Sequence, residues 1–232
     1  MTHLLLPSSL GTTAALWDAN AGHWPPGIRP SPYTQRGRRS VGELGEDLLA
    51  VADEHGLDRF SVCGLSLGGA TAMWVAAAAP ERVERLVLAC TSARFGDAQP
   101  WFERAAIVRD GGLEPIGDSI VARWFTPAAP VDVVARFRQQ LVETPAEAYA
   151  RCCEALAAWD FRERLPEITA PTLVIAGAED PATPIEHTQL LARRIPRAKL
   201  VLLSGAAHLA NVEQPAAFCR AVSDHLAAVA VA

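Results

Sequence analysis

A serine lies between two glycines in the segment VCGLSLGGA, residues 62–70. The segment follows an apolar run typical of a buried strand and precedes an Ala-rich run typical of a helix. A sharp turn from strand to helix can hold Ser66 in a strained backbone conformation, with Gly64 and Gly68 passing close to each other. The pattern predicts that Ser66 is a nucleophile for acyl transfer. The competing interpretation is a serine on a Gly-rich turn.

A serine hydroxyl needs a neighbouring base to become a good nucleophile. His208 lies in SGAAHLANVEQP, directly after the apolar run KLVLLS. A loop at the carboxyl end of a parallel strand opens onto the same edge of the sheet as Ser66. His208 is therefore the predicted base, and a surface loop histidine is the alternative. The other histidines are predicted to be solvated or to cap helices: His3, His23, His55, His187 and His225.

A carboxylate should precede this histidine in chain order and hold its ring in one tautomer. The segment LVIAGAEDPATP ends a predicted strand with Glu179 and Asp180. Asp180 precedes a proline, which restricts it to an extended conformation and favours a fixed side chain. We predict that Asp180 orients His208, with Glu179 as the competitor.

Two backbone N–H groups should stabilise the oxyanion that forms when a serine attacks a carbonyl. One is expected at Leu67, the residue after the nucleophile. The other is expected in the loop PSSLG after the first strand, at Leu10, with Ser9 as the alternative.

Apolar segments separated by helical patterns predict the elements that position these residues. The strands are expected in HLLLP, RFSVCG, VERLVLACT, APTLVIAGAED and AKLVLLSG, which indicates an α/β fold with a mostly parallel sheet and helices on both faces. Residues 92–168 have only helical patterns. We therefore expect a core of residues 1–91 and 169–232 and a helical cap of residues 92–168. No strand or helix is predicted for residues 21–40, AGHWPPGIRPSPYTQRGRRS.

Composition restricts the classes of partner. The chain has 232 residues, 50% of them hydrophobic, and a net charge of −5 without a basic stripe, so nucleic acid is not an expected partner. Its longest apolar runs are far shorter than a membrane span of about 20 residues. Five cysteines without zinc spacing favour reduced, mostly buried thiols in a cytoplasmic protein. No metal or organic cofactor is expected, and nothing in the sequence indicates the oligomeric state.

Taken together, these segments resemble the α/β-hydrolase family and, within it, the 3-oxoadipate enol-lactonases. The resemblance extends over nearly the whole chain from residue 3. The stretches ARWFTP and YARCCEAL are its specific part, because the serine, aspartate and histidine loops are common to the wider family. The resemblance implies hydrolysis of 3-oxoadipate enol-lactone to 3-oxoadipate through an acyl-enzyme. The alternatives are a small-substrate carboxylesterase with the same triad and a non-catalytic ligand-binding hydrolase.

The chain departs from this family in two places near its N-terminus. Family members usually begin with a hairpin before the strand at residues 3–7, and this sequence begins without it. Members also have a turn of the form D-x-R-G-x-G-x-S, which here reads YTQRGRRS with Thr34 in place of the acid. The resemblance is therefore weakest at the N-terminal edge of the sheet.

The implied substrate is an anionic lactone, so the cap should supply a cation and an apolar wall. Candidate cations are Arg104, Arg123 and Arg151, each of which could instead lie on a solvated helix face. Candidate wall residues are Trp101, Trp124, Phe125 and Trp159, each of which could instead be a packing residue. We favour Trp124 because it lies in the specific RWF stretch. The residues predicted to bind the substrate are Trp124, Arg123, Trp101 and Trp159.

Overall fold

The chain folds around a six-stranded parallel sheet, as seen in a computed structural model that describes residues 1–228. The strand order is β2-β1-β3-β4-β5-β6, with every neighbouring pair parallel. The strands are β1 Thr2–Pro7, β2 Ile28–Tyr33, β3 Phe60–Leu65, β4 Val83–Ala89, β5 Thr172–Gly177 and β6 Lys199–Leu203. The predicted α/β class with a mostly parallel sheet is confirmed.

The helices cover both faces of the sheet. They are α1 Val41–Glu54, α2 Leu67–Ala78, α3 Ala98–Gly111, α4 Gly117–Val121, α5 Val131–Val142, α6 Ala146–Ala157, α7 Ile185–Arg194, α8 Ala210–Glu213 and α9 Pro215–Ala227. Helices α1, α2 and α7 pack on one face, where Leu5, Val62 and Val174 are buried. Helix α9 and a 3-10 helix, Ala14–His23, pack on the other. Both sides of β3 and β5 are therefore buried, which explains their continuous apolar runs.

The prediction that residues 21–40 contain no strand or helix is wrong. β2 lies there at the edge of the sheet, in register with β1 from Thr2 opposite Ile28 to Pro7 opposite Tyr33. The Gly27 carbonyl accepts a hydrogen bond from the Thr2 amide, and the Tyr33 carbonyl accepts one from the Ser8 amide directly after β1. Because backbone groups alternate in direction along a strand, Pro30 and Pro32 face away from β1, where a missing N–H costs no bond in the ladder. The prolines therefore mark an edge strand and do not abolish it.

Four α-helices, α3 to α6, separate β4 from β5, in the segment predicted as the cap. Helices α3 and α6 pack together along their lengths. The division into a core and a cap at residues 92–168 stays a prediction. Within residues 1–228, no helix combines the length and hydropathy needed to cross a membrane. All five cysteines are free and buried, as predicted.

Candidate active site

Ser66 occupies a strained turn between β3 and α2. Its φ of 56° and ψ of −115° lie in a backbone region that residues other than glycine rarely adopt. A Cβ on Gly64 would collide with the Gly68 carbonyl oxygen, and one on Gly68 would collide with the Pro7 carbonyl oxygen at the end of β1. Glycine at these two positions is therefore a steric requirement, and the backbone holds the Ser66 side chain at the carboxyl edge of the sheet.

His208 and Asp180 lie side by side in the loops that follow β6 and β5. The His208 Nδ1 lies 2.9 Å from the Asp180 Oδ2, and only 5% and 1% of the two side chains are exposed. The Thr183 hydroxyl donates to the same carboxylate oxygen at 2.6 Å, and the Ala182 and Thr183 amides donate to Oδ1 at 2.8 and 3.0 Å. Burial acts to raise the pKa of Asp180, but His208 and these donors outweigh it and lower the pKa below its ordinary value. The carboxylate is thus held ionised and fixed against the ring.

Ser66 and His208 face one cavity of about 250 Å³, which lies beneath the helical segment between β4 and β5. No hydrogen bond joins the Ser66 hydroxyl to the His208 ring among the residues described, although both side chains line the same cavity. Such bonds are often long in unliganded enzymes and tighten when substrate binds.

Leu10 and Ser9 also line this cavity, at the end of β1. Within residues 1–228, neither the Leu10 N–H nor the Leu67 N–H has a hydrogen-bond acceptor. Leu67 is the first residue of α2, so its amide is one of those that a helix cannot satisfy internally. Both amides predicted for the oxyanion are therefore available as donors.

The wall that the helical segment contributes is aromatic and cationic. Four candidates for substrate contacts line the cavity: Trp101, Arg104, Arg123 and Trp124. Their contact with a substrate stays a prediction. Neither arginine pairs with a carboxylate in the described part of the chain: the Arg104 guanidinium lies 4.8 Å from the Trp101 ring, and an Arg123 nitrogen donates to the Pro181 carbonyl at 3.1 Å. Burial, and then the charge of Arg104, lower the pKa of Arg123. The carboxylate of Asp97 at the rim of the cavity is already paired with Arg94, at 3.1 Å.

Three of the candidate contact residues lie elsewhere. Trp159 stacks on Phe161 with ring centroids 4.8 Å apart and donates to the Ser92 carbonyl. Arg151 pairs with Glu147 on the surface of α6. Phe125 packs against Phe137 in the core, which agrees with the alternative that it is a packing residue.

Tyr149 is a cavity residue that the sequence reasoning missed. It is buried, and burial raises the pKa of its phenol, so its hydroxyl stays a donor at neutral pH. It begins the YARCCEAL stretch, so the specificity of that stretch was the signal that could have found it.

Glu213 was also missed. Its Oε2 accepts from the Ala207 amide at 2.7 Å, and its Oε1 accepts from the Thr126 amide and hydroxyl at 2.8 and 2.7 Å. The Leu209 amide donates to the Trp124 carbonyl at 2.9 Å. The loop of His208 is thus tied on both sides to the segment that bears Arg123 and Trp124.

Comparison with known proteins identifies the family. The model of the alpha/beta hydrolase fold matches residues 22–215. The chain belongs to the α/β-hydrolase family. It is 38% identical to 3-oxoadipate enol-lactonase 2 of Acinetobacter baylyi, an alignment that covers 94% of this chain and 86% of that protein. The predicted family is therefore confirmed, and this α/β hydrolase is a hydrolytic enzyme.

Two further relatives match nearly the whole chain. The crystal structure of the enol-lactonase from Burkholderia xenovorans matches with a TM-score of 0.92 at 33% identity, over 98% of this chain and 92% of that one. A protein of Stutzerimonas stutzeri named for carbamate hydrolysis is 30% identical, over 97% of this chain and 91% of its own.

Proposed function

We propose that this hydrolase opens an anionic enol-lactone, 3-oxoadipate enol-lactone, with Ser66 as nucleophile, His208 as base and Asp180 as its orienting carboxylate. The observation that carries the proposal is that two guanidiniums, those of Arg104 and Arg123, line the cavity of Ser66 and pair with no carboxylate among residues 1–228. A chain with a net charge of −5 has concentrated cations where a substrate carboxylate would bind. The likeness to relatives named as enol-lactonases supports the same substrate.

In the proposed mechanism, the Ser66 hydroxyl attacks the lactone carbonyl while His208 takes its proton. The Leu67 and Leu10 amides donate to the oxyanion of the tetrahedral intermediate. Its collapse breaks the ring C–O bond, and the enol oxygen leaves with a proton from His208 while remaining part of the acyl group. Water, deprotonated by His208, then hydrolyses the acyl-enzyme and releases 3-oxoadipate after the enol tautomerises to the ketone. Asp180 keeps its charge throughout and stabilises the imidazolium.

A carboxylesterase for small neutral esters would use the same three residues. That alternative does not require the two arginines, because a neutral acyl ester offers them no anion. Selectivity between an anionic and a neutral substrate therefore separates the two functions.

The test is turnover of the enol-lactone, followed by loss of its absorbance, beside hydrolysis of p-nitrophenyl acetate. We expect Ser66→Ala to lower kcat on the lactone by at least about 1,000-fold, as removal of a serine nucleophile does elsewhere. Arg123→Gln should lower the ratio of lactone to ester kcat/KM by about 10- to 100-fold, the effect of losing one charge-assisted hydrogen bond. Arg151→Gln, on the same helical segment but outside the cavity, is the matched control and should leave that ratio unchanged.

Two results would contradict the proposal. Full lactone turnover by Ser66→Ala would remove the serine mechanism. Wild-type hydrolysis of the ester without any turnover of the lactone would leave the esterase function in its place.

A further inference from the structure

Gln35 joins the two segments that bear the candidate oxyanion donors. It lies just after β2, in the segment where this chain departs from its family's usual motif. Its side-chain Nε2 donates to the Ser8 carbonyl at 2.6 Å, and its backbone N–H donates to the Ser8 hydroxyl at 3.2 Å. Its side-chain Oε1 accepts from the Thr71 hydroxyl at 2.6 Å. One amide side chain thus bridges the end of β1 and the first turns of α2.

Both partners of Gln35 are buried and lie close to the donors themselves. Ser8 has no exposed surface and lies two residues before Leu10. Thr71 is equally buried, and its hydroxyl lies 3.0 Å from the carbonyl of Leu67. A displacement of either partner would therefore be transmitted to one of the two oxyanion amides.

The two bridged segments pack closely where they meet. A Cβ on Gly68 would lie 2.9 Å from the Ser8 carbonyl oxygen, so α2 already contacts the end of β1 there. The amide of Gln35 suits this site because it offers one donor and one acceptor to partners of opposite kind, a carbonyl and a hydroxyl. A carboxylate at the same position would have no proton to offer the Ser8 carbonyl.

We propose that Gln35 is a positioning residue for the oxyanion hole: it fixes the Leu10 N–H relative to the Leu67 N–H. The inference rests on the proposed function, since it assumes that these two amides stabilise the oxyanion. Gln35 itself does not line the cavity that holds Ser66. It acts through Ser8 and Thr71, and its effect should appear in the transition state and not in substrate binding.

The test compares Gln35→Ala and Gln35→Glu with wild type on the lactone and on p-nitrophenyl acetate. We expect Gln35→Ala to lower kcat by about 10- to 100-fold on both substrates, because a misplacement of about 1 Å has that cost and both reactions form an oxyanion. KM should change by less than about threefold, as expected for an interaction made only in the transition state. Gln35→Glu should lose more than Gln35→Ala, because its carboxylate repels the Ser8 carbonyl.

A second readout separates positioning from a general loss of structure. In Gln35→Ala, the affinity for a boronic acid that mimics the tetrahedral intermediate should fall by the same factor as kcat/KM. The pH profile of kcat should keep its wild-type midpoint, because His208 and Asp180 are unchanged. Thr71→Val, which removes the other end of the bridge without changing its shape, should act in the same direction. Gln139→Ala is the control, since Gln139 is exposed on α5 and, within residues 1–228, its side chain donates only to Glu143.

Wild-type kcat in Gln35→Ala would overturn the inference. A shifted midpoint in the pH profile of Gln35→Ala would also overturn it. So would a loss of activity equal to the loss of folded protein, with the remaining folded molecules binding the boronic acid at wild-type affinity. Ser66→Ala in the same assay keeps the two proposals apart. If Ser66→Ala is active, the proposed function fails. If Ser66→Ala is inactive and Gln35→Ala is fully active, only the inference about Gln35 fails.

Discussion

At the scale of single residues, two buried histidines have neighbours of opposite charge. His208 faces the carboxylate of Asp180, which would stabilise a proton taken up during catalysis. The His225 Nε2 donates to the Pro171 carbonyl at 3.1 Å and has the positive Arg85 and Lys199 nearby. Burial, and to a lesser degree Arg85, lower the pKa of His225 from 6.5 to about 4. The sequence-based expectation that His225 is solvated or caps a helix is therefore wrong.

This shift predicts how stability depends on pH. In the unfolded chain His225 takes up a proton below pH 6.5, whereas in the folded protein it stays neutral down to about pH 4. The unfolded state therefore binds more protons in that window, and the free energy of unfolding should fall as the pH drops through it. The ordinary pKa of Asp180 is 3.8, and its pKa in the folded protein is lower. Protonation of Asp180 should therefore reduce the free energy of unfolding mainly below the pH range in which His225 acts. Urea unfolding of wild type and His225→Gln from pH 7 to pH 4 should show a flatter profile for the variant, and equal slopes would contradict the assignment.

At the scale of elements, the site depends on contacts between loops that the sheet brings to one edge. Ser66, Asp180 and His208 follow β3, β5 and β6, and Leu10 follows β1. Glu213 then joins the His208 loop to the segment that bears Arg123 and Trp124. The position of His208 is therefore coupled to the aromatic and cationic wall of the cavity.

Replacing Glu213 should show this coupling in stability. Glu213→Leu leaves the Ala207 amide and the Thr126 amide and hydroxyl without their acceptor. Because unsatisfied buried donors cost about 1–3 kcal/mol each and this site is only partly buried, we expect the free energy of unfolding to fall by about 2–4 kcal/mol. Glu81→Leu, at an exposed position, should change it by less than about 0.5 kcal/mol. Equal effects of the two substitutions in urea unfolding would contradict the role given to Glu213.

The sequence predicted these elements unevenly, for physical reasons. β3 and β5 were predictable because strands buried on both faces have continuous apolar runs, and Ser66 because the turn requires glycines around it. β2 was not, because an edge strand is held by its ladder with β1 and tolerates prolines on its outer side. The roles of Gln35 and Glu213 were not predictable for another reason. Each depends on a partner that is distant in sequence and is brought close by the fold, Thr71 for Gln35 and Thr126 for Glu213.

At the scale of the whole molecule, the charge distribution and the sheet act together. The chain is acidic, with a net charge of −5, yet the cavity of Ser66 has the guanidiniums of Arg104 and Arg123, neither of which pairs with a carboxylate within residues 1–228. Such a local cation pair would attract the proposed anionic substrate to the strand ends, where the proposed nucleophile and oxyanion donors lie. The central claim of this account is that an acyl group of that substrate is carried on Ser66.

Mass spectrometry of the acyl-enzyme tests that claim most directly. The enzyme is mixed with p-nitrophenyl acetate or the enol-lactone, quenched in acid within milliseconds, digested and mapped by peptide mass. The account predicts one acyl group per chain, on the peptide that contains Ser66, and none in Ser66→Ala. An acyl group on any other residue, or rapid turnover with no trapped acyl-enzyme under conditions where the ester gives a burst, would contradict it.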